Sequence, residues 1–434
     1  MVSAGKPRRV LVIVQNLPVP FDRRVWLEAT SLTAAGYAVS VICPKAKGYT
    51  ASFETLEGVD IYRYGLPIAA QGAVGFVMEF AWCFLRAFMK SVRVAAAGRG
   101  FDVIHACNPP ETYWLLAWLW RLSGKRFLFD HHDLSPEMYE AKFGRNSGPM
   151  YKGLLFLERM TFRSADLMIT TNESHKRIAQ ERGGLAPEHV FVVRSGPDLG
   201  RFEVHEPDPT WKKGKRFLLV YLGEMCKQDG VDHLVRAIRV LREDLRRDDL
   251  HAVFVGGGPE QPMIRAYADA QGVADVCTFT GRVSDDDLCR ILSSADLAVD
   301  PDPKTAWSDK STMNKIMEYM FFGLPIVCYD LAEHRVSAQE AAVYVDANSE
   351  RALAEGISAL LDDPVRRARM SRCGAARVRQ KLVWQHSVPP LLAAYDAIFA
   401  RLPQRVTSRR SVRGTRARSS GAGAAADAAA GSNR

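Results

Sequence analysis

Lys315 and Glu318 stand three residues apart in the stretch from Asp309 to Cys328, where a short helical pattern lies between two apolar runs. Residues three apart share a helix face. Ser311 and Thr312 are good N-caps, Gly323 suits a left-handed C-terminal position and Pro325 stops the helix, so the spacing predicts roughly three turns. The free N–H groups at such a helix start, with Lys310 and Lys315 beside them, suit a diphosphate. An ionised Glu318 one turn deeper would accept hydrogen bonds from a vicinal diol such as a ribose. Phosphate and diol together suggest a nucleotide. The bland alternative is an exposed Lys/Glu pair worth a few tenths of a kcal/mol.

These residues need a scaffold. Six continuous apolar runs, Arg216–Leu222, Ala252–Val255, Val276–Thr280, Leu297–Asp300, Pro325–Tyr329 and Ala342–Val345, alternate with helical patterns. Seven more precede them: Arg9–Gln15, Ala38–Cys43, Val59–Tyr64, Phe101–Ala106, Arg126–Asp130, Leu167–Thr171 and Val190–Arg194. Runs without alternation are strands covered on both faces, so the chain reads as α/β with two doubly wound, Rossmann-like parallel sheets. The Pro-containing stretch from Pro197 to Lys215 reads as the linker. The expected organisation is a first domain over 1–200, a second over 201–384, a helix over 385–402 crossing back to the first domain, and a disordered basic tail over 403–434.

In such sheets ligands meet the carboxyl ends of strands, so two facing domains share one cleft. The first strand leads into Gln15 to Arg24 without the Gly-x-Gly-x-x-Gly of a dinucleotide site. Arg24 there either reaches the cleft or only helps solvate the first helix. The run from Arg126 ends on Asp130-His131-His132-Asp133, a concentration of ionisable groups that packing alone does not explain. Adjacent histidines on a continuing strand point opposite ways, which argues against one metal holding both. Asn108 and Glu137 belong to the same set of strand-end loops and are assigned, with Arg24, to the acceptor side. In the second domain, Gly223 and Gly257 permit close backbone approach and Lys227 is the cation of its loop; Arg282 with the Val283 backbone is placed to edge a nucleobase. Ser284 and Asp287 form a capping box, so the aspartates of 285–287 read as capping groups and not as metal ligands.

Taken in order, the Gly223 loop with Gly230-Val231-Asp232, the Gly256 to Glu260 loop, Phe279 to Leu288, Ser294 to Leu297, and Lys315 to Val327 resemble the motifs of GT-B-fold glycosyltransferases, family 4. The resemblance spans roughly residues 8 to 400. It implies a nucleotide-sugar donor on the second domain, an acceptor on the first, retention of anomeric configuration and no required metal or cofactor. By resemblance His132 stands beside the reacting carbon, with Asp133 and Lys315 as further catalytic candidates, and Glu318 holds the ribose. The donor set is Gly223, Lys227, Gly257, Arg282, Val283, Lys310, Ser311, Thr312, Met313, Asn314 and Glu318. Two departures stand out: Lys310 replaces the first glutamate of the family's Glu-x7-Glu, and Glu224 and Asp229 stand where Arg and Lys are usual. An epimerase on the same architecture and a catalytically silent binding protein are the competing readings.

The net charge of +9 looks like a nucleic-acid signal until it is located. From Arg401 onward there are eight arginines and one aspartate, which leaves the preceding residues near neutral. No aromatic residue interleaves those arginines, so a nucleic-acid partner is not expected. The eight cysteines are scattered without a C-x-x-C pair and read as reduced core residues in a cytoplasmic protein. The long apolar stretch from Ala73 to Ala97 carries Glu79, Arg86, Lys90 and Arg93 on one face, so it is expected to be amphipathic and not to span a bilayer. Its apolar face is either core or, helped by the basic tail, a contact with an anionic membrane surface where a lipid-linked acceptor would be met.

Overall fold

A computed structural model describes residues 7–66, 72–198 and 200–402. The tail predicted to be disordered lies outside them. The first sheet holds β1 (Arg9–Ile13), β2 (Ala38–Pro44), β3 (Phe53–Leu56), β4 (Val59–Tyr64), β5 (Val103–Cys107), β6 (Arg126–His131), β7 (Leu167–Thr170) and β8 (Val190–Val192), in the order β3-β4-β2-β1-β5-β6-β7-β8. All pairs are parallel except β3 with β4. The second holds β9 (Phe217–Leu222), β10 (Leu250–Val255), β11 (Cys277–Gly281), β12 (Leu297–Asp300), β13 (Ile326–Tyr329) and β14 (Ala342–Val345), in the order β11-β10-β9-β12-β13-β14, all parallel.

Helices α1 (Arg23–Ala34), α2 (Gly72–Ala96), α3 (Trp114–Arg121), α4 (Ser135–Phe143), α5 (Gly148–Ser164) and α6 (Glu173–Gly183) belong to the first sheet. The second carries α7 (Val231–Glu243), α8 (Gln261–Ala270), α9 (Asp285–Ser294), α10 (Asn314–Phe321), α11 (Ala332–Ala338), α12 (Glu350–Leu361) and α13 (Pro364–Arg377), before α14 (Val388–Ala400). Each sheet is buried on both faces, as continuous runs such as Phe217 to Leu222 require. Leu391, Ala394, Tyr395 and Ile398 of α14 enter the core of the first sheet, on the side that also holds α1.

The antiparallel strand β3 is absent from the sequence reading, which left 45–56 as loop. It is an edge strand with three of four residues exposed, so it lacks a buried run to read. Glu57 and Gly58, at φ +49° and +79°, supply the two positive-φ residues of a tight hairpin.

All eight cysteines are free. Helix α2 corrects the single-face expectation. Cys83, Ala87, Ser91 and Val94 point inward, while Val77, Met78, Leu85, Met89 and Val92 are each at least two-fifths exposed, so apolar residues occupy two sides. No described helix is long and apolar enough to cross a membrane.

Candidate active site

The carboxyl end of β6 places its side chains by the period of two. His131 turns into the core, fully buried among Phe129, Phe162 and His175, and burial holds its imidazole neutral. Asp130 and His132 turn the other way, and His132 Nδ1 lies 2.9 Å from Asp130 Oδ2. Asp130 is fully buried and takes a two-pronged grip from Arg24, Nε to Oδ2 at 2.8 Å and Nη2 to Oδ1 at 2.7 Å. Arg24 Nη1 donates to the Val193 carbonyl and Ser195 Oγ. Arg24 and His132 hold the Asp130 carboxyl far below the usual carboxylate range despite its burial. Burial opposes charge on His132, but Asp130 outweighs it and lifts the imidazole to about 8.

Three acceptor-side assignments change here. Arg24 is spent on Asp130 and on main-chain anchoring, with a side chain only 9% exposed, although its edge still borders the cleft. Asn108 is a backbone clamp: its Oδ1 accepts from the N–H groups of His132 at 2.9 Å and Asp133 at 3.1 Å, while Nδ2 donates to Glu111 and the Asp133 carbonyl. Glu137 is buried against Arg182 and also faces Lys310 at 3.6 Å. None of the three has a free polar group for a sugar. Asp133 accepts from Trp307 Nε1 at 3.4 Å, a contact from the opposite domain.

On the donor side, α10 begins at Asn314 and has eight residues, about two turns instead of three. Met313 is its N-cap residue, because the hydroxyls predicted to cap it are used elsewhere. Ser311 Oγ donates to the Trp307 carbonyl, and Thr312 Oγ1 meets Asn172 Nδ2 at 3.0 Å and Glu333 at 3.5 Å. Lys315 and Glu318 also part company. Lys315 Nζ runs inward to Asp302 at 2.6 Å and Asp300 at 3.2 Å, nearly buried over the Tyr221 ring. A lysine holding two buried carboxylates is not available to a phosphate, which withdraws both its phosphate and its catalytic assignment. Glu318 faces the cleft, 3.7 Å from Arg201 Nη1, and burial raises its carboxyl.

The Gly223 loop is close-packed for a different reason from the one its sequence suggested. A Cβ on Gly256 would collide with the Gly223 carbonyl, and one on Gly258 with the Met225 backbone, so these glycines let two loops of the protein touch. Gly257 alone of that trio faces open space, with nothing nearer than 4.0 Å. Lys227 is exposed, and its ammonium forms no hydrogen bond or ion pair with the other described residues. Lys310 is anchored through its carbonyl, which accepts from Asn172 Nδ2 at 2.8 Å. Val283 packs against the second core, and Arg282 reaches across to lie 4.0 Å from the Phe21 ring centroid.

A cleft of about 360 Å³ opens between the two sheets, lined from the first domain by Phe21, Arg23 and Arg24, and from the second by Arg282, Asp285, Asn314 and Glu318. Arg201 stands between, doubly bonded to Asp285 at 2.6 Å, and Arg23 meets the same carboxylate at 3.3 Å. Ser284 caps α9 through the Asp287 N–H as expected, but Asp285 additionally binds these two arginines. Arg201 and Asp285 were missed because one lay in the presumed linker and the other in a capping run.

Metal-ligand types converge at two places among the described residues: Glu28, His105, Cys107 and Asp130, and Asp300, Asp302 and His334. Each already encloses a cation. Arg24 lies 3.2 Å from Glu28 and 2.7 Å from Asp130, and Lys315 bridges the two aspartates.

Two facing parallel-sheet domains with a terminal helix returning to the first, and chemistry confined to the strand ends between them, define the GT-B class. Residues 216–363 match the family described as glycosyl transferases group 1, and residues 22–196 match the glycosyl transferase 4-like domain. The chain belongs to this glycosyltransferase family, and its activity is transfer from a nucleotide-sugar. It is 25% identical over 340 residues to a D-inositol 3-phosphate glycosyltransferase of Salinispora tropica, covering 73% of this chain and 68% of that one. It is 30% identical over 218 residues to a GDP-mannose-dependent alpha-(1-6)-phosphatidylinositol monomannoside mannosyltransferase of Mycobacterium tuberculosis, covering 48% and 54%. The sucrose-phosphate synthase structure from Thermosynechococcus elongatus superposes with a TM-score of 0.72 at 18% identity, over 91% of this chain and 99% of that one.

Proposed function

We propose that this glycosyltransferase holds a nucleoside-diphosphate sugar against α10 and the Arg282 loop and passes the sugar, with retention, to a saccharide or lipid-linked acceptor at the β6 end. The observation that carries the reading is that Glu318 and Asn314 open onto the same cleft as first-domain residues, so a donor bound there would also face the first domain. Glu318 is assigned to the ribose diol. Lys315 being spent, the diphosphate charge falls to Arg282 at the cleft and Lys227 at its loop, with Arg201 and Arg23 beside them on the exposed Asp285 carboxylate. His132, charged near neutral pH, is assigned to the reacting centre. The named acceptor of the mycobacterial relative, a phosphatidylinositol monomannoside, supports a lipid-linked acceptor in a cell-envelope pathway. A thermal-shift panel of UDP-, GDP-, ADP- and dTDP-sugars tests the donor site: a ligand well above its dissociation constant stabilises by a few kcal/mol. One base should shift the wild type and not Glu318→Ala; no shift with any base contradicts the reading.

The acceptor reading extends to a membrane surface at the cytoplasmic face. Helices α2, α3 and α5 are neighbours, joined by Trp120 to Ser91 and Arg121 to the Ser164 carbonyl. Their outer sides expose Met78, Leu85 and Met89, then Trp118 at 64% and Leu122 at 89% just past α3, then Phe156. Lys152, Arg159 and Arg163, all exposed, share the outer face of α5 with Phe156. Apolar area joined to cations matches an anionic bilayer. Anionic vesicles should sediment the wild type, and Trp118→Glu with Leu122→Glu should not; equal behaviour of the two proteins, or no sedimentation of either, contradicts this surface.

A further inference from the structure

Asp130 belongs to no substrate-facing surface, being fully buried, yet both of its carboxylate oxygens are held by side chains near the cleft. Its Oδ2 meets both Arg24 Nε at 2.8 Å and His132 Nδ1 at 2.9 Å, and its Oδ1 meets Arg24 Nη2 at 2.7 Å. A two-pronged guanidinium–carboxylate contact fixes a plane as well as a distance. Arg24 cannot swing away, since its remaining nitrogen is bonded to the Val193 carbonyl and Ser195. The main chain of the histidine is fixed separately, by Asn108 Oδ1 on the N–H groups of His132 and Asp133. Ring and backbone are therefore held from two directions, and the side chain remains 17% exposed. A packing histidine needs none of this; its neighbour His131 makes no side-chain hydrogen bond and simply fills core.

We infer that Asp130, clamped by Arg24, is a positioning residue that accepts the His132 Nδ1–H and fixes the ring, so that the imidazolium turns its second donor, Nε2–H, toward the substrate. This rests on the assignment of His132 to the reacting centre. The charged and titratable groups around His132, besides Asp130, are Asp22 at the N-cap of α1, Arg24 and Glu28 from α1, His105 from β5, His131 from β6, His175 from α6, and Asp133 beside it. Among these, Arg24 opposes the imidazolium and Asp22 favours it, so with Asp130 removed the balance of burial and Arg24 turns against the charged ring. His105 and His175 are held neutral, at about 4 and about 3, by burial and so do not compete for the proton near neutral pH.

The experiment uses the full chain, following the His132 ring by NMR titration in wild type and Asp130→Asn, and kcat against pH in both. The wild-type ring should titrate near 8. In Asp130→Asn the midpoint should fall below the ordinary histidine value of about 6.5, and the alkaline fall of kcat should move with it. At neutral pH kcat should drop at least about tenfold while KM for the donor stays within about threefold. Asp130→Glu keeps the charge but displaces the ring, so it should keep the alkaline midpoint with a lowered kcat. A wild-type midpoint at or below about 6.5 overturns the inference whether or not the variants fold. Unchanged midpoint and profile in Asp130→Asn overturn it too, while an inactive His132→Ala leaves the assignment of His132 standing. Full activity in His132→Ala removes that assignment, and the inference with it.

Discussion

Glu318 and His132 stand out in the sequence by residue type and position, and the structure opens Glu318 onto the cleft and ties His132 to Asp130. Losing the charge-assisted hydrogen bonds of Glu318 costs about 1.5–3 kcal/mol each, so Glu318→Ala should weaken donor binding roughly ten- to a hundredfold by calorimetry. An unchanged dissociation constant would remove the ribose assignment. Lys315 was misread because spacing of three does not say which way a long side chain bends. Its acidic partners, Asp300 and Asp302, were visible at the end of β12 but reach it only through the fold. The proton on His132 also bears on stability. Its folded value of about 8 lies above the unfolded value of about 6.5. The contribution is complete below pH 6.5 and declines through about pH 8, where the folded state too releases the proton. Urea denaturation of wild type and His132→Gln should therefore differ most at pH 6 and converge above pH 9; a constant difference across that range contradicts the raised value.

At the scale of elements, sequence patterns located the covered strands and missed what only tertiary contact decides. Helix α10 is shorter than its caps predicted because Ser311 and Thr312 bond to Trp307, Asn172 and Glu333 in preference to the helix start. Its position is set from beneath by Lys315, whose ammonium reaches Asp300 and Asp302 at the end of β12, where burial beside Asp300 raises the Asp302 carboxyl. Removing one partner of a buried pair costs about 3–5 kcal/mol because the other charge is left uncompensated. Lys315→Met should thus lower the denaturation midpoint sharply, with donor binding following the loss of structure. Normal stability with a selective loss of donor affinity would restore the phosphate role that the geometry withdraws. The glycine loop gives the same lesson: close approach was readable, and for Gly256 and Gly258 its object within the protein is the backbone of Gly223 and Met225.

Across the whole molecule, the division into two parallel sheets with a returning helix followed from the order of buried runs, whereas the contacts between the domains did not. Those contacts include Asp285, which joins Arg23 of the first domain to Arg201, Phe21 over Arg282, and a second group in which Asn172 meets Lys310 and Thr312 and Ser174 meets Glu333. No local pattern reports such pairings, since partners such as Arg23 and Asp285 lie 262 residues apart. Asp285→Ala should loosen the domains, seen as a larger radius of gyration in small-angle scattering that donor binding reverses. An unchanged radius would mean that closure rests on Asn172, Thr312 and Glu333 instead. The most direct test of the central claim is NMR of the full chain with the nucleotide-sugar that shifts its melting, in the presence of membrane extract as acceptor source. Release of the nucleoside diphosphate, with the sugar transferred in the anomeric configuration of the donor and neither event in Glu318→Ala, is the predicted result. An intact nucleotide bearing an epimerised sugar, or an inverted product, would contradict it.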